Sequence, residues 1–151
     1  MGDFTMTACI LTGHGHFAEG MLDAFEMIAG PRKELVAVPF HESNAAEFPK
    51  SLAEATGEAL ERGRSAVIFC DLMGGTPFNQ AMLISQSMKG VRVVAGTNLP
   101  MLLECLLSVD ESADADALAD QAIEVGRAGI SAPQLGSLAE ASEGDAEEGG
   151  I

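Results

Sequence analysis

Four short apolar runs, residues 7–11, 34–39, 66–70 and 91–95, recur along the chain at intervals wide enough to hold a helix between each pair. They are rich in Val and Ile and mostly lack polar alternation, as strands do when helices cover both faces of a parallel sheet. The intervals carry helical periodicity. Met21, Phe25, Ile28 and Ala29 form one apolar stripe, stopped by Gly30-Pro31. Phe48, Leu52, Ala55 and Ala59 form a second, opened by Asn44 with Glu47 three residues on, a capping-box spacing. Thr76 is placed to cap a third helix with Pro77 as its first residue, and Phe78, Met82 and Ser85 follow on one side. Asn98-Leu99-Pro100 opens a fourth helix through about Leu107, and a fifth spans roughly 114–126. Residues 129–132 can add a small edge strand.

Strand–helix–strand repetition predicts a three-layer α/β fold, a mainly parallel four-stranded sheet with right-handed crossovers and helices on both faces. Ligands in such sheets bind beyond the carboxyl ends of the strands, where the strand order reverses. With order 2-1-3-4 that crevice lies between the first and third strands. The loops meeting there are 13–17 and 71–77.

The chain carries 23 acids against 8 bases, a formal net charge of −15, with five of the acids and no base in 133–151. Such a surface repels nucleic acid and anionic lipid; it either steers basic proteins inward or simply keeps the protein soluble, since charge alone names no partner. Domain organisation is read as a folded unit over 1–132 followed by an acidic tail over 133–151, whose Gly, Ser, Ala and Glu content suggests flexibility. No apolar stretch approaches the roughly 20 residues of a membrane span, and the start lacks a signal-peptide pattern. Three cysteines, an odd number with Cys9 and Cys70 inside apolar runs, fit a reduced, cytoplasmic protein.

The two crevice loops are the chain's most unusual segments. Leu11-Thr12-Gly13-His14-Gly15-His16-Phe17-Ala18-Glu19-Gly20 presents one glycine-flanked imidazole, a group able to carry a proton, a metal or a phosphoryl group near neutral pH. Asp71 directly follows the third apolar run, in Asp71-Leu72-Met73-Gly74-Gly75-Thr76-Pro77-Phe78-Asn79. A carboxylate there can fix the tautomer of His14 and leave its other nitrogen free to attack. Gly74 and Gly75 free the backbone to turn amides toward an anion, Thr76 adds a hydroxyl, and the helix start adds the positive end of its dipole. The Gly-x-x-x-x-Gly-Lys-Ser/Thr spacing of a nucleotide P-loop is absent. His14 and His16 as metal ligands find no third ligand cluster in the sequence, where His41 is the only other histidine, so no metal site is expected. Thr76 as a hydrolase nucleophile is disfavoured by its expected use as a cap. Phe17, Met73 and Phe78 are candidates for an apolar docking collar, with Phe78 also suited to the core.

These residues resemble the IIA component of the mannose family of the bacterial sugar phosphotransferase system. The resemblance covers about residues 5–132 and rests on three segments in register: 13–20, 71–79 and Gly96-Thr97-Asn98-Leu99-Pro100-Met101-Leu102-Leu103-Glu104. It implies that His14 accepts a phosphoryl group from the phosphocarrier protein HPr and passes it to an enzyme IIB domain, with no cofactor. It further implies that Asp71 is the carboxylate partner of that histidine and Thr76 the hydroxyl that steadies the phosphoryl group. An antiparallel strand exchanged across a homodimer is implied by the family fold. Gly13 stands where some relatives have Thr, and Thr76 where Ser is frequent; both keep the chemistry. Some relatives fuse IIA to IIB through a linker, and the acidic tail points here to IIB on a separate polypeptide; membrane permease subunits would be met only indirectly. Two other readings suit the same crevice: the phosphotransfer subunit of a dihydroxyacetone kinase, and a non-catalytic regulatory module sensing a small anion.

Overall fold

The computed structural model describes residues 6–108 and 110–136. Four parallel strands, β1 (Ala8–His14), β2 (Leu35–Phe40), β3 (Ala66–Cys70) and β4 (Val91–Ala95), form one sheet in the order β2-β1-β3-β4. Among the described residues five α-helices alternate with or follow them: α1 (Phe17–Ala29), α2 (Phe48–Arg62), α3 (Gly75–Ser87), α4 (Leu99–Leu107) and α5 (Ala115–Ala128). Period-two alternation along the two central strands divides the core between the faces. Cys9, Leu11, Val67 and Phe69 pack with α1, α4 and α5, while Ala8, Ile10, Ala66 and Ile68 pack with α2 and α3. Phe25, Phe48 and Phe69 are fully buried, and truncating one such side chain costs about 3–5 kcal/mol. The central strands are buried on both sides, whereas β2 and β4, each paired along one edge only, are partly exposed.

Several local expectations shift. β1 runs on to His14 because β2 pairs with it all the way, Gly13 opposite Pro39 and His14 opposite Phe40. Ile28 is exposed, so the inward stripe of α1 is carried by Ala18 and Phe25, with Met21 and Ala29 packed against the same core. Asn44 does not open α2. Its side-chain oxygen accepts from the His41 N–H at 2.8 Å and its amide donates to the Pro39 carbonyl at 3.0 Å, closing a 3-10 turn over Glu42–Asn44. The helix then starts at Phe48 with Glu47 at the cap position.

Thr76 is not the cap of α3 either. Gly74 and Gly75 adopt φ of +98° and +80°, so the chain turns earlier, Gly74 takes the cap position and Thr76 falls inside the first turn. The buried side of α3 is accordingly Pro77, Ala81 and Ile84, with Met82 exposed and Phe78 packed partly against the second core. Asn98 caps α4 where the sequence opens that helix, accepting from the Met101 amide, and Asp114 caps α5, accepting from the Ala117 amide. Residues 129–132 form no strand among the described residues, where nothing offers them a ladder partner. The acidic tail lies, beyond residue 136, outside the described residues.

All three cysteines are buried and unpaired. Burial pushes the thiols of Cys70 and Cys105 up to about 12, with Asp71 and Glu104 adding to the effect, and raises Cys9 as well. They are structural hydrophobes and poor nucleophiles. Among the described residues no helix is long and apolar enough to cross a membrane.

Candidate functional site

The strand order brings the two loops together as expected. β1 pairs Thr12 with Cys70 of β3, so Asp71, the next residue, comes alongside Gly13 at the strand ends. The fit is close: a Cβ on Gly13 would lie 2.9 Å from both Cβ and Cγ of Asp71 and 2.8 Å from Cδ1 of Phe17. Thr97 anchors the approach, its backbone N–H and hydroxyl both donating to the Cys70 carbonyl, at 3.2 and 2.8 Å.

Asp71 then grips His14 twice. Its Oδ2 accepts from the His14 backbone N–H and lies 2.9 Å from ring Nδ1, also 2.9 Å in the first contact, while Oδ1 accepts from the Leu72 N–H. The Asp71 side chain is 12% exposed and that of His14 47%. Desolvation raises the Asp71 carboxyl, but the hydrogen bonds from the His14 backbone and ring and the Leu72 amide outweigh it and hold it below its ordinary value. An ionised carboxylate only accepts, so the proton of a neutral His14 ring sits on Nδ1 and Nε2 keeps its lone pair.

Nε2 looks onto the start of α3. A Cβ on Gly75 would sit 3.1 Å from His14 Nε2 and 3.0 Å from Cε1, so only glycine lets the backbone lie this close to the ring. The first N–H groups of α3 have no intrahelical partner, and the helix dipole adds positive potential there. Thr76 is exposed, and its hydroxyl makes no hydrogen bond among the described residues. His14 thus has one nitrogen held and one open beside an anion-favouring helix start.

Phe40, which no sequence motif marked, meets the His14 ring edge-on at 5.9 Å between centroids and meets Phe48 edge-on in turn. Together His14, Gly15, His16, Phe40, His41, Glu42 and Ser43 line an open pocket of about 810 Å3. Of the expected collar, Met73 is 76% exposed and Leu72 beside it 49%. Phe17 is half-buried, and Phe78 belongs with the core rather than the rim.

A second group of titratable side chains stands on the same pocket. Glu19 Oε1 lies 2.9 Å from His41 Nε2 and 3.2 Å from His16 Nδ1, and the two imidazoles are 4.8 Å apart. Desolvation raises the Glu19 carboxyl, yet the hydrogen bonds from His41 and His16 prevail and lower it. The sequence shows His16 and Glu19 three residues apart but gives no hint that His41 joins them; that follows from the pairing of β1 with β2.

Known proteins resemble this chain in sequence and in fold. The family model described as PTS system fructose IIA component matches residues 8–123. The mannose-specific EIIAB component of Escherichia coli is 34% identical over 128 residues, 84% of this chain and 40% of that protein, so this chain spans about two fifths of its length. The fructose-specific EIIA component of Bacillus subtilis is 34% identical over 104 residues, 67% of this chain and 69% of its own. Among solved structures, the mannose/sorbose specific IIA subunit from Enterococcus faecalis superposes with a TM-score of 0.76 at 30% identity, covering 86% of this chain and 96% of that one. By sequence and by fold, the chain belongs to the mannose family of phosphotransferase-system EIIA components.

Proposed function

We propose that the chain is a phosphoryl carrier of a sugar-uptake phosphotransferase system, with His14 Nε2 as the acceptor atom. The observation that carries this reading is the Asp71 Oδ2–His14 Nδ1 contact at 2.9 Å, which leaves the opposite nitrogen open against Gly75. The lone pair of Nε2 attacks the phosphorus of a phosphohistidine on HPr. The donor's N–P bond breaks and its electron pair returns to the donor imidazole as the new N–P bond forms on His14. The His14 ring becomes cationic in this step, and the Asp71 carboxylate stabilises it through Nδ1–H. A loose phosphoryl-transfer transition state asks mainly for positioning and neutralisation of oxygen charge. The amides of Gly74, Gly75 and Thr76 and the unengaged Thr76 hydroxyl are suited to that role.

Transfer onward reverses these events, with an enzyme IIB group as nucleophile and the electron pair returning to Nε2. Phe17, Leu72 and Met73 offer apolar area beside the ring on which both partners can dock in turn, and the net charge of −15 favours basic partner faces. On this reading the protein works in the cytoplasm as a homodimer and meets membrane permease subunits only through IIB.

The test is phosphorylation of the chain by labelled phosphoenolpyruvate, enzyme I and HPr. The wild type takes up acid-labile label, and His14→Ala takes up none while keeping its circular dichroism spectrum. Label retained by that variant moves the acceptor elsewhere. No label on the wild type favours an anion-sensing module instead.

A further inference from the structure

We infer that His16, Glu19 and His41 form a binding site for a borderline divalent transition metal, with zinc as the ion it suits best. Two imidazoles and one carboxylate are a donor set zinc uses with a fourth position left open. One ligand atom from each residue can be chosen so that all three lie within 4.8 Å of one another. Zinc bonds of about 2.0–2.1 Å at tetrahedral angles require ligand atoms about 3.3 Å apart. The Glu19 Oε1 separations of 2.9 Å to His41 Nε2 and 3.2 Å to His16 Nδ1 are already near that value. What remains is to bring the two imidazole nitrogens closer, and the His16 side chain, 86% exposed, is free to move.

The backbone beneath the three residues is fixed. His16 and Glu19 bracket the first turn of α1, where the Gly20 N–H donates to the His16 carbonyl at 2.8 Å. His41 follows directly on β2, and Asn44 locks its backbone through the His41 N–H. A site whose ligands come from a strand end and a helix start needs little ordering when the metal enters. Both imidazoles also line the pocket shared with His14, so the open position of a bound metal is accessible to water or an anion.

Imidazole nitrogen selects zinc and its neighbours over magnesium and calcium, which prefer all-oxygen sites. The three cysteines are buried and take no part. Metal binding here stands apart from the reading of His14 as phosphoryl acceptor, and the two are tested separately.

Isothermal titration of the full chain with zinc chloride, in a buffer that does not chelate, reads the site directly. One equivalent binds, His16→Ala and His41→Ala each weaken it at least about tenfold, and magnesium chloride gives no saturable heat. His14→Ala binds zinc within a few-fold of the wild type. These surface variants are checked for an unchanged circular dichroism spectrum. The inference falls if the wild type binds no stoichiometric zinc or if His16→Ala and His41→Ala bind it undiminished, which places the ion elsewhere. Loss of binding in His14→Ala, or equal binding of magnesium, overturns it as well.

Discussion

Two imidazole–carboxylate contacts of the same length, 2.9 Å, stand on one pocket and do different things. Asp71 is largely enclosed, engages His14 through both the ring and the backbone, and is 12% exposed. Glu19 is 47% exposed and shares one oxygen between two rings. Enclosure and a second, backbone anchor turn the first contact into a device that orients a single ring. Exposure and sharing turn the second into a cluster whose atoms can close on an ion. Separation between a carboxylate and an imidazole therefore says little about role; the remaining hydrogen bonds of each group decide it.

The largest expected effect that separates the two pairs is at Asp71. Asp71→Asn keeps the shape but replaces a charged acceptor with an amide that can present a donor to Nδ1, which favours the wrong tautomer at Nε2. Transfer from phospho-HPr slows by orders of magnitude; neutralising the orienting acid of a Ser-His-Asp triad costs about 10⁴-fold. Glu19→Gln, which touches neither His14 nor α3, slows it far less. The check is the initial rate of label uptake by the two variants side by side; equal losses erase the distinction drawn here.

The first pair was legible in the sequence and the second was not, for a physical reason. The spacing of apolar runs implies a parallel sheet with crossovers, and with the order 2-1-3-4 the register of β3 against β1 sets Asp71 next to the end of β1. The convergence of His41 on Glu19 depends on the register of β1 against β2, and an edge strand such as β2 carries no alternation that fixes its register in advance. Phe40 was missed for the same reason, since its packing on His14 is a consequence of that register. The caps show a second limit. Asn98 and Asp114 stand before helices with nothing competing for them, and both cap, Asn98 where the sequence opens the fourth helix. Thr76 follows two glycines with positive φ that start the helix before it, which releases its hydroxyl. Asn44 is captured by the His41 backbone. The motif segments themselves were readable because their chemistry is unusual, and the family likeness follows from them.

A smaller effect sharpens the comparison through two glycines. Gly15 (φ +56°) leads into His16, and Gly75 (φ +80°) backs His14. Alanine at either position costs about 1–2 kcal/mol through left-handed backbone strain, read as a lowered urea midpoint. A Cβ at 15 meets nothing within 4 Å, whereas one at 75 presses on the Nε2 edge of the ring. Gly75→Ala therefore slows phosphoryl uptake more than Gly15→Ala does at similar cost in stability. Similar rates in the two variants would show that the approach of Gly75 to the ring is incidental.

The smallest effect is on acid stability, and its sign follows from the Asp71 carboxyl being held below its ordinary value. A group with a depressed folded-state pKa contributes stability in full above its unfolded value, about 3.9 for aspartate, and loses it as the pH falls through the folded value. The wild type thus exceeds Asp71→Asn in urea midpoint at pH 7, where the ionised carboxylate holds its three hydrogen bonds. The gap narrows as the pH falls below the ordinary carboxylate range, because protonated Asp71 then resembles the amide. The measured quantity is the difference between the two midpoints at pH 7 and pH 3, not either midpoint alone, since other carboxyls titrate in both proteins. A gap that stays constant or widens on acidification means that the charge on Asp71 contributes nothing to the fold, leaving orientation of His14 as its entire role.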